Sequence, residues 1–478
     1  MSILRLARSA AREESGVAMI IAVTLLAVMA TLIALVMSVS THTNFATGHG
    51  RSWVQALHVG EAGVQDAISK LQQTSGSYAG SFSGDTNEGR YTVTVTHQAR
   101  GRYQIDATGS VGHGAGLSAV RKLRVTMAPP SSFKYALYSN TTVTTKNNDT
   151  IVGDIWANQN VIVDAGDTIT GGVNAATGYV QVNNGGQVTG DVWSGGFNPS
   201  NGYAIYVSTN GIVGGTAKAS VTAPTDPVTC GGENPDNYKV RLDNGANIAG
   251  NVKTWGTKTG PGTVGPPGNV TSNICTSAPA TQTMPVFTYS PDNYNAATLH
   301  QFGTTSSPSS TAVTDFQSYV SAHSSTLQGT FLVNQSGTVN QSVRLNLTGV
   351  TVIGDTTIVS NTPIFTNGMT DNATDAILTL VSTYKPPTGS TCDLNQDSSE
   401  CSIHLKNNFQ PTDKTAVLVY SPYGPVAVKN NQIQFGAIYA DNIVIKNNQA
   451  MTYDSRIERV AGFGPVTYTV QTWLELAP

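Results

Sequence analysis

Three stretches of the chain can be laid over one another residue by residue: "VDAGDTITGGV" from Val163, "VNNGGQVTGDV" from Val182 and "LDNGANIAGNV" from Leu242. Each reads apolar, Asp or Asn, small or Asn, Gly, two variable residues, Ile or Val, small, Gly, polar or Gly, Val. "TKNNDTIVGDI" from Thr145 and "VSTNGIVGGTA" from Val207 are looser copies. "VKNNQIQFGAIYA" from Val428 and "IKNNQAMTYD" from Ile445 recur near the end. One such unit cannot bury its apolar side alone, whereas stacked units share a continuous core. A period of about 17–25 residues with short β runs and Asn/Gly corners predicts a mainly β, right-handed β-solenoid-like domain. Asn and Gly tolerate the positive φ that tight corners need. The repeats predict a first solenoid part over 131–224 and a second, with the C-terminal strands, over 331–478. Between them, 225–330 loses the repeat and carries "GPGTVGPPGN", which predicts a loop-rich insertion. A short helix, "TDFQSYVSA", lies at its end with Asp315 near its start.

The other constraint is an apolar run. No charged residue occurs from Val17 to Val39. Twenty-three helical residues span roughly 34 Å, enough for a bilayer core of about 30 Å and longer than a secretory signal core. Arg5, Arg8 and Arg12 precede the run and are expected to stay inside, leaving the rest of the chain outside. From Arg51 a second pattern places Trp53, Leu57, Gly60, Val64, Ile68 and Leu71 at steps of three and four, the mark of an amphipathic helix. Gly48 and Gly50 form a candidate soft point between the two. "GRYTVTVTHQ", "GRYQIDATGSVG" and "AVRKLRVTMAP" then alternate apolar and polar residues, predicting an antiparallel meander within 76–130.

A short basic leader, then Ser15-Gly16, then an apolar helix starting directly after the glycine, resembles the layout of a type IV prepilin. "ESGVAMIIAVTLLAVMATLIALVMSVS…ALHVGEAGVQDAISKL" looks most like the PilX-type minor pilins. "GFGP" at 462–465 and "WLEL" at 473–476 are similar to the end of solenoid domains carried by such proteins. The resemblance implies an α+β N-terminal pilin-like module, a long membrane-spanning helix plus an antiparallel sheet. It implies a leader over 1–16, a pilin helix over 17–75, and cleavage by a prepilin peptidase between Gly16 and Val17. Glu61, with Ala62 and Gly63, matches the centre of the family's alanine-rich stretch. Shaft pilins carry glutamate at the fifth mature position, where this chain has Ile21, which points to a minor subunit that primes assembly or adheres. The implied partners are other pilins, the assembly machinery and the inner membrane, with a surface glycan or host ligand for the solenoid.

The remaining residues carry little chemistry. Charged residues make up 12% of the chain and the net charge is −3, which gives no basic stripe for nucleic acid. Cys230, Cys275, Cys392 and Cys401 include no CxxC pair, so two disulfides are expected, Cys230–Cys275 and Cys392–Cys401, each flanking a loop-like segment. "GDIW" and "GDVW" place Asp154 and Trp156, and Asp191 and Trp193, at equivalent repeat positions. The carboxylates would sit on the order of 10 Å apart on one face. They read either as turn residues or as the calcium-holding carboxylates and sugar-stacking rings of a membrane-anchored, β-helical polysaccharide-degrading enzyme. Asp393, Asn395 and Asp397 alternate like the first half of an EF-hand loop, but Ser398 and His404 stand where Gly and Glu belong. No catalytic constellation is found and no cofactor is expected.

Overall fold

The structure is a computed structural model that describes residues 3–73, 78, 80–98, 102–113, 117–128, 133–221, 230–265, 269–289, 291, 294, 296–373, 375–387, 392, 400–406, 415–430, 434–460, 463 and 469–476. The chain divides into two compact units, one of residues 1–128 and 466–478, the other of residues 129–465.

The first unit is one helix and one sheet. Helix α1 (Ile3–Gln73) runs for 71 residues without a break, roughly 106 Å. The soft point expected at Gly48 and Gly50 is therefore ordinary helix. Thr41, Thr43, Thr47 and Ser52 return their hydroxyls to carbonyls four residues back, so this polar stretch satisfies itself inside the helix. Strands β1 (Gly80–Asp85), β2 (Arg90–Gln98), β3 (Arg102–His113) and β4 (Leu117–Ala128) form the antiparallel meander. A fifth strand, Thr469–Leu476, pairs antiparallel with β4. The C-terminal strand thus belongs to the first sheet rather than to the solenoid, and the whole second unit is inserted in the sequence between β4 and it. Val64, Ala67 and Leu71 of α1 pack on Val93, Val95, Ile105, Leu123 and Val125.

The second unit is a three-faced parallel coil. On its first face Leu137, Ile155, Val173 and Val192 stand opposite one another, so successive turns take 18, 18 and 19 residues. Val143, Val161, Val180, Ile205 and Val240 make the same ladder on the second face, and Ile151, Ile169, Val188, Val213 and Ile248 on the third. All are buried in one core. The ladder continues through Lys239–Leu242, Asn247–Ile248, Val252–Thr254 and on to Val270–Thr271. The stretch 225–330 is therefore no single insertion: 239–265 and 269–271 belong to the coil. The excursion at Cys230 and Pro235 lengthens one corner and hides the period.

The turns do not stack in sequence order. After Thr271 the chain leaves the coil and runs back along its outside. Ile274 donates its N–H to Thr254, Ala278 to Val221 and Gln282 to the Asn158 side chain, and Tyr420 donates its hydroxyl to the Pro285 carbonyl. Coiling resumes at Leu299–Phe302 and proceeds through Leu327–Val333, Thr351–Ser360, Ala376–Ser382 and Thr415–Lys429 to Phe435–Lys446. That last full turn lies against the first, Ile438 opposite Leu137 and Ile443 opposite Val143. One inward column therefore reads Phe331, Ile358, Leu380, Val419, Ile438, Leu137, Ile155. The chain starts the coil in its middle and finishes it there.

Each feature has a local cause. Gly166, Gly185 and Gly245 hold one corner at φ 73°, 71° and 72°, and Asn148 and Asn448 hold it at 61° and 59°. Helix α2 (Ala312–Ala322) buries Ala312, Phe316 and Val320 over the coil's Leu299 end, closing a core that would otherwise meet water. Outward residues on the first face, Val359, Val381, Tyr420, Tyr439, Tyr138 and Trp156, form a second core under Phe133, Met284, Phe287, Ile457 and Phe463. Tyr138 and Tyr439 stack across the join, centroids 5.2 Å apart and 13° between planes.

The join also holds two buried carboxylates. Asp149 accepts N–H groups from Lys146 at 2.9 Å and from Gln449, on the neighbouring turn, at 2.8 Å. Asp167 accepts from Asp149 N, Asp164 N and the Thr145 hydroxyl. Burial pushes the Asp149 carboxyl up to about 7, against the pull of its two N–H donors, and pushes Asp167 upward too. An acid that binds its proton more tightly folded than unfolded stabilises the fold fully below its unfolded value of about 4, and that stability is lost as pH rises to about 7. The second unit is therefore expected to melt higher at pH 5 than at pH 8, by on the order of 2–4 kcal/mol from Asp149. Asp149→Asn should flatten that slope in a melting series; an unchanged slope would remove Asp149 as its source.

Candidate assembly site

The sequence singled out α1, and its geometry divides it in two. Ile20–Thr43 is 24 residues long, with mean hydropathy 2.8 and none of it buried in the protein, enough by length and composition to cross a membrane. Ile21 lies in this half, 54% exposed. Gly16 and Val17 fall on the same uninterrupted helix, with no turn or cap at the expected cut.

The other half is held against the sheet by close backbone approach. A side chain at Gly109 of β3 would meet the Ala56 carbonyl at 2.1 Å and the Gly60 nitrogen at 2.4 Å. Gly63 is less tight, its nearest neighbours being the side chains of Tyr91 and Val93 at 2.9 Å. The small residues of "ALHVGEAG" thus serve packing. Glu61 in the same stretch faces outward and pairs with His58 Nδ1 at 3.0 Å. Tyr91 of β2 donates its hydroxyl to Asp66 of α1 at 3.0 Å. Arg121 of β4 stacks over Trp53 at 4.0 Å and pairs with Glu475 at 2.6 Å, so the "WLEL" segment clamps the sheet edge to the helix. Sequence reading missed this clamp, because Glu475 lies 354 positions from Arg121.

The other candidates resolve into structural parts. Asp154 and Asp191 do stand at equivalent positions two turns apart, but each accepts a backbone N–H of the next turn, Gly172 at 2.7 Å and Thr216 at 2.8 Å. Trp156 is buried and bonds Asn158, whereas Trp193 bonds Ser220 and lies under Lys218, 5.3 Å from its ring centre. The turn reading is the one the geometry supports. Cys230–Cys275 and Cys392–Cys401 are the two disulfides, each pair as expected. Asp393, Asn395, Asp397 and Ser398 of the EF-hand-like loop lie outside the described residues, and His404 is buried edge-on to Phe365. Of "GFGP", Gly462, Gly464 and Pro465 also lie outside them, while Phe463 packs on Tyr420 at 4.6 Å. Among the described residues no three His, Cys, Asp or Glu side chains converge as metal ligands.

No protein-family model matches the chain, and no curated protein matches it. Among solved structures, the crystal structure of the competence-associated pilin ComZ from Thermus thermophilus aligns over 89% of this chain and 98% of that one, with 12% identity and a TM-score of 0.20. A superposition this loose carries no argument about fold or function.

Proposed function

We propose that this chain is a PilX-type minor subunit of a type IV pilus or related pseudopilus. The observation that carries the reading is α1 itself: an unburied apolar half long enough to span a bilayer, continuous with a half locked onto a small antiparallel sheet. A plain anchor needs no such continuity. In this reading a prepilin peptidase cuts between Gly16 and Val17, and the helix waits in the inner membrane. It then moves sideways into a helical bundle, burying the stripe from Val17 to Val39 against other pilins, with the assembly machinery supplying the push. The inserted coil, right-handed as parallel crossovers are, lies outside the cell and serves assembly priming or adhesion to a surface glycan or host ligand. The protein acts by structure and binding and has no enzymatic role.

Ile21 sets the copy number. A glutamate at this position in a neighbouring subunit's helix would attract a terminal amine; an isoleucine cannot. A subunit that starts or caps a filament needs no such attraction. Quantifying the protein in sheared filaments is expected to find it far scarcer than the main subunit, and equal abundance would contradict the minor role.

A further inference from the structure

On the second face of the coil, two successive turns alternate plainly: Val161 and Val163, then Val180 and Val182, point inward, with Ile162 and Gln181 outward. The next strand, Tyr203–Val207, departs from this. Ala204 and Ile205 are both buried, and the pairing with Lys239–Leu242 slips between Tyr203 and Ile205. This is a β-bulge, a device that re-aims the side chain beside it. Strict alternation would turn Tyr203 inward with Ile205. The bulge leaves it outward beside Tyr206, both partly exposed, with ring centroids 5.9 Å apart and 31° between planes.

The neighbouring turn sets a polar fork against these rings. Arg241 stands opposite Tyr206. Its Nε donates to Asp243 Oδ1 at 2.8 Å and its Nη1 to the Tyr203 hydroxyl at 3.3 Å, with the guanidinium carbon 5.7 Å from the Tyr203 ring centre. Tyr206 donates its hydroxyl to Asp243 Oδ2. Guanidinium and carboxylate thus hold each other in place, and both keep bonding capacity. Among the described residues Arg241 Nη2 has no protein partner, and each Asp243 oxygen has a further lone pair. The two side chains are 38% and 20% exposed. Charge cancels locally, because Lys239, opposite Tyr203, pairs with Asp236 at 2.9 Å. The coil itself does not call for this set: the same column carries Thr144, Ile162 and Gln181 on the preceding turns.

We propose that this cluster binds a neutral pyranose glycan, the C–H face of a sugar meeting the Tyr203 and Tyr206 rings and its adjacent hydroxyls shared between Arg241 and Asp243. Aromatic surface with a few fixed polar groups is the composition of a small-ligand site. Neighbouring sugar hydroxyls both donate and accept, so they use the guanidinium and the carboxylate together. A proline-rich peptide also suits tyrosine rings, but prolines carry no backbone N–H and leave Asp243 without a donor. The cancelled charge gives a polyanion no net attraction. The proposal rests on the adhesive part of the function proposed above and gives its glycan a location.

The test is equilibrium binding by the full-length protein in detergent micelles, with cellohexaose, laminarihexaose and mannohexaose as probes and hexaproline as comparison. Binding of at least one hexasaccharide is expected, little changed by salt. Tyr203→Ala and Arg241→Gln should each weaken it about tenfold or more at a melting temperature close to the parent's. Should Tyr203→Ala fail to fold, Arg241→Gln decides alone. Trp193→Ala, on the first face of the coil, should leave binding unchanged. No binding of any hexasaccharide, parent affinity in either folded variant, or an equal loss with Trp193→Ala would overturn the proposal. So would hexaproline bound as tightly as the sugars. The N-terminal cut after Gly16 is read separately, so a failure here and a failure of the pilin reading are told apart.

Discussion

Replacing Gly109 by valine is expected to lower the melting temperature of the helix-and-sheet unit by about 12 °C or more, the equivalent of roughly 3–5 kcal/mol. The obstacle is backbone, not side chain. The added carbon would sit 2.1 Å from the Ala56 carbonyl oxygen, 2.4 Å from the Gly60 nitrogen and 3.0 Å from the Gly60 Cα. No rotamer change relieves that overlap, so α1 must lift off the sheet and surrender the burial of Val59, Val64 and Leu71. Gly112→Val on the same strand is the control, because nothing lies within 4 Å of the point where its Cβ would stand. Calorimetry of the detergent-solubilised protein reads both. Equal melting of the two variants would show that α1 does not approach β3 at Gly109.

Leu137→Asp is expected to break the coil at its middle, at a cost above about 4 kcal/mol. Leu137 is fully buried between Ile438 of the last full turn and Ile155 of the second. A carboxylate there has no partner and no water. The chain's first turn would lose its seat on the last, and with it the stacking of Tyr138 on Tyr439. Cooperative melting of the second unit should be lost, with new protease cleavage near the join. Thr150→Asp, exposed on the third face of the same turn, should stay within about 0.5 kcal/mol of the parent. A Leu137→Asp protein that melts like the parent would mean the two halves of the coil are not joined there.

Periodicity carried much of this architecture. The apolar run, the amphipathic stretch, three strands of the meander and the Asn/Gly coil were all legible, because each repeats a local pattern set by its own geometry. Strand β1 was not, since "GSFSGD" has a single large apolar residue and gains its place from pairing with β2. Gly48 and Gly50 suggested a break that hydroxyl-to-carbonyl bonds in the neighbouring turns make unnecessary. The order of the turns was beyond reach of local reasoning. Nothing in "AIYADNIVIK" says that its ladder partners lie some 300 positions away in "ALYSNTTVTT". The same distance hid the C-terminal strand's place beside β4 and the Arg121–Glu475 clamp. For the site, the helix and both disulfides were readable from their own residues.

The account rests on α1 being a processed assembly helix and not a fixed anchor. Mass spectrometry of the N-terminus of the protein recovered from membranes or sheared filaments tests this most directly. The account predicts a mature chain beginning at Val17, cut directly after Gly16. An intact Met1, or a chain cut near Ser40, would contradict it.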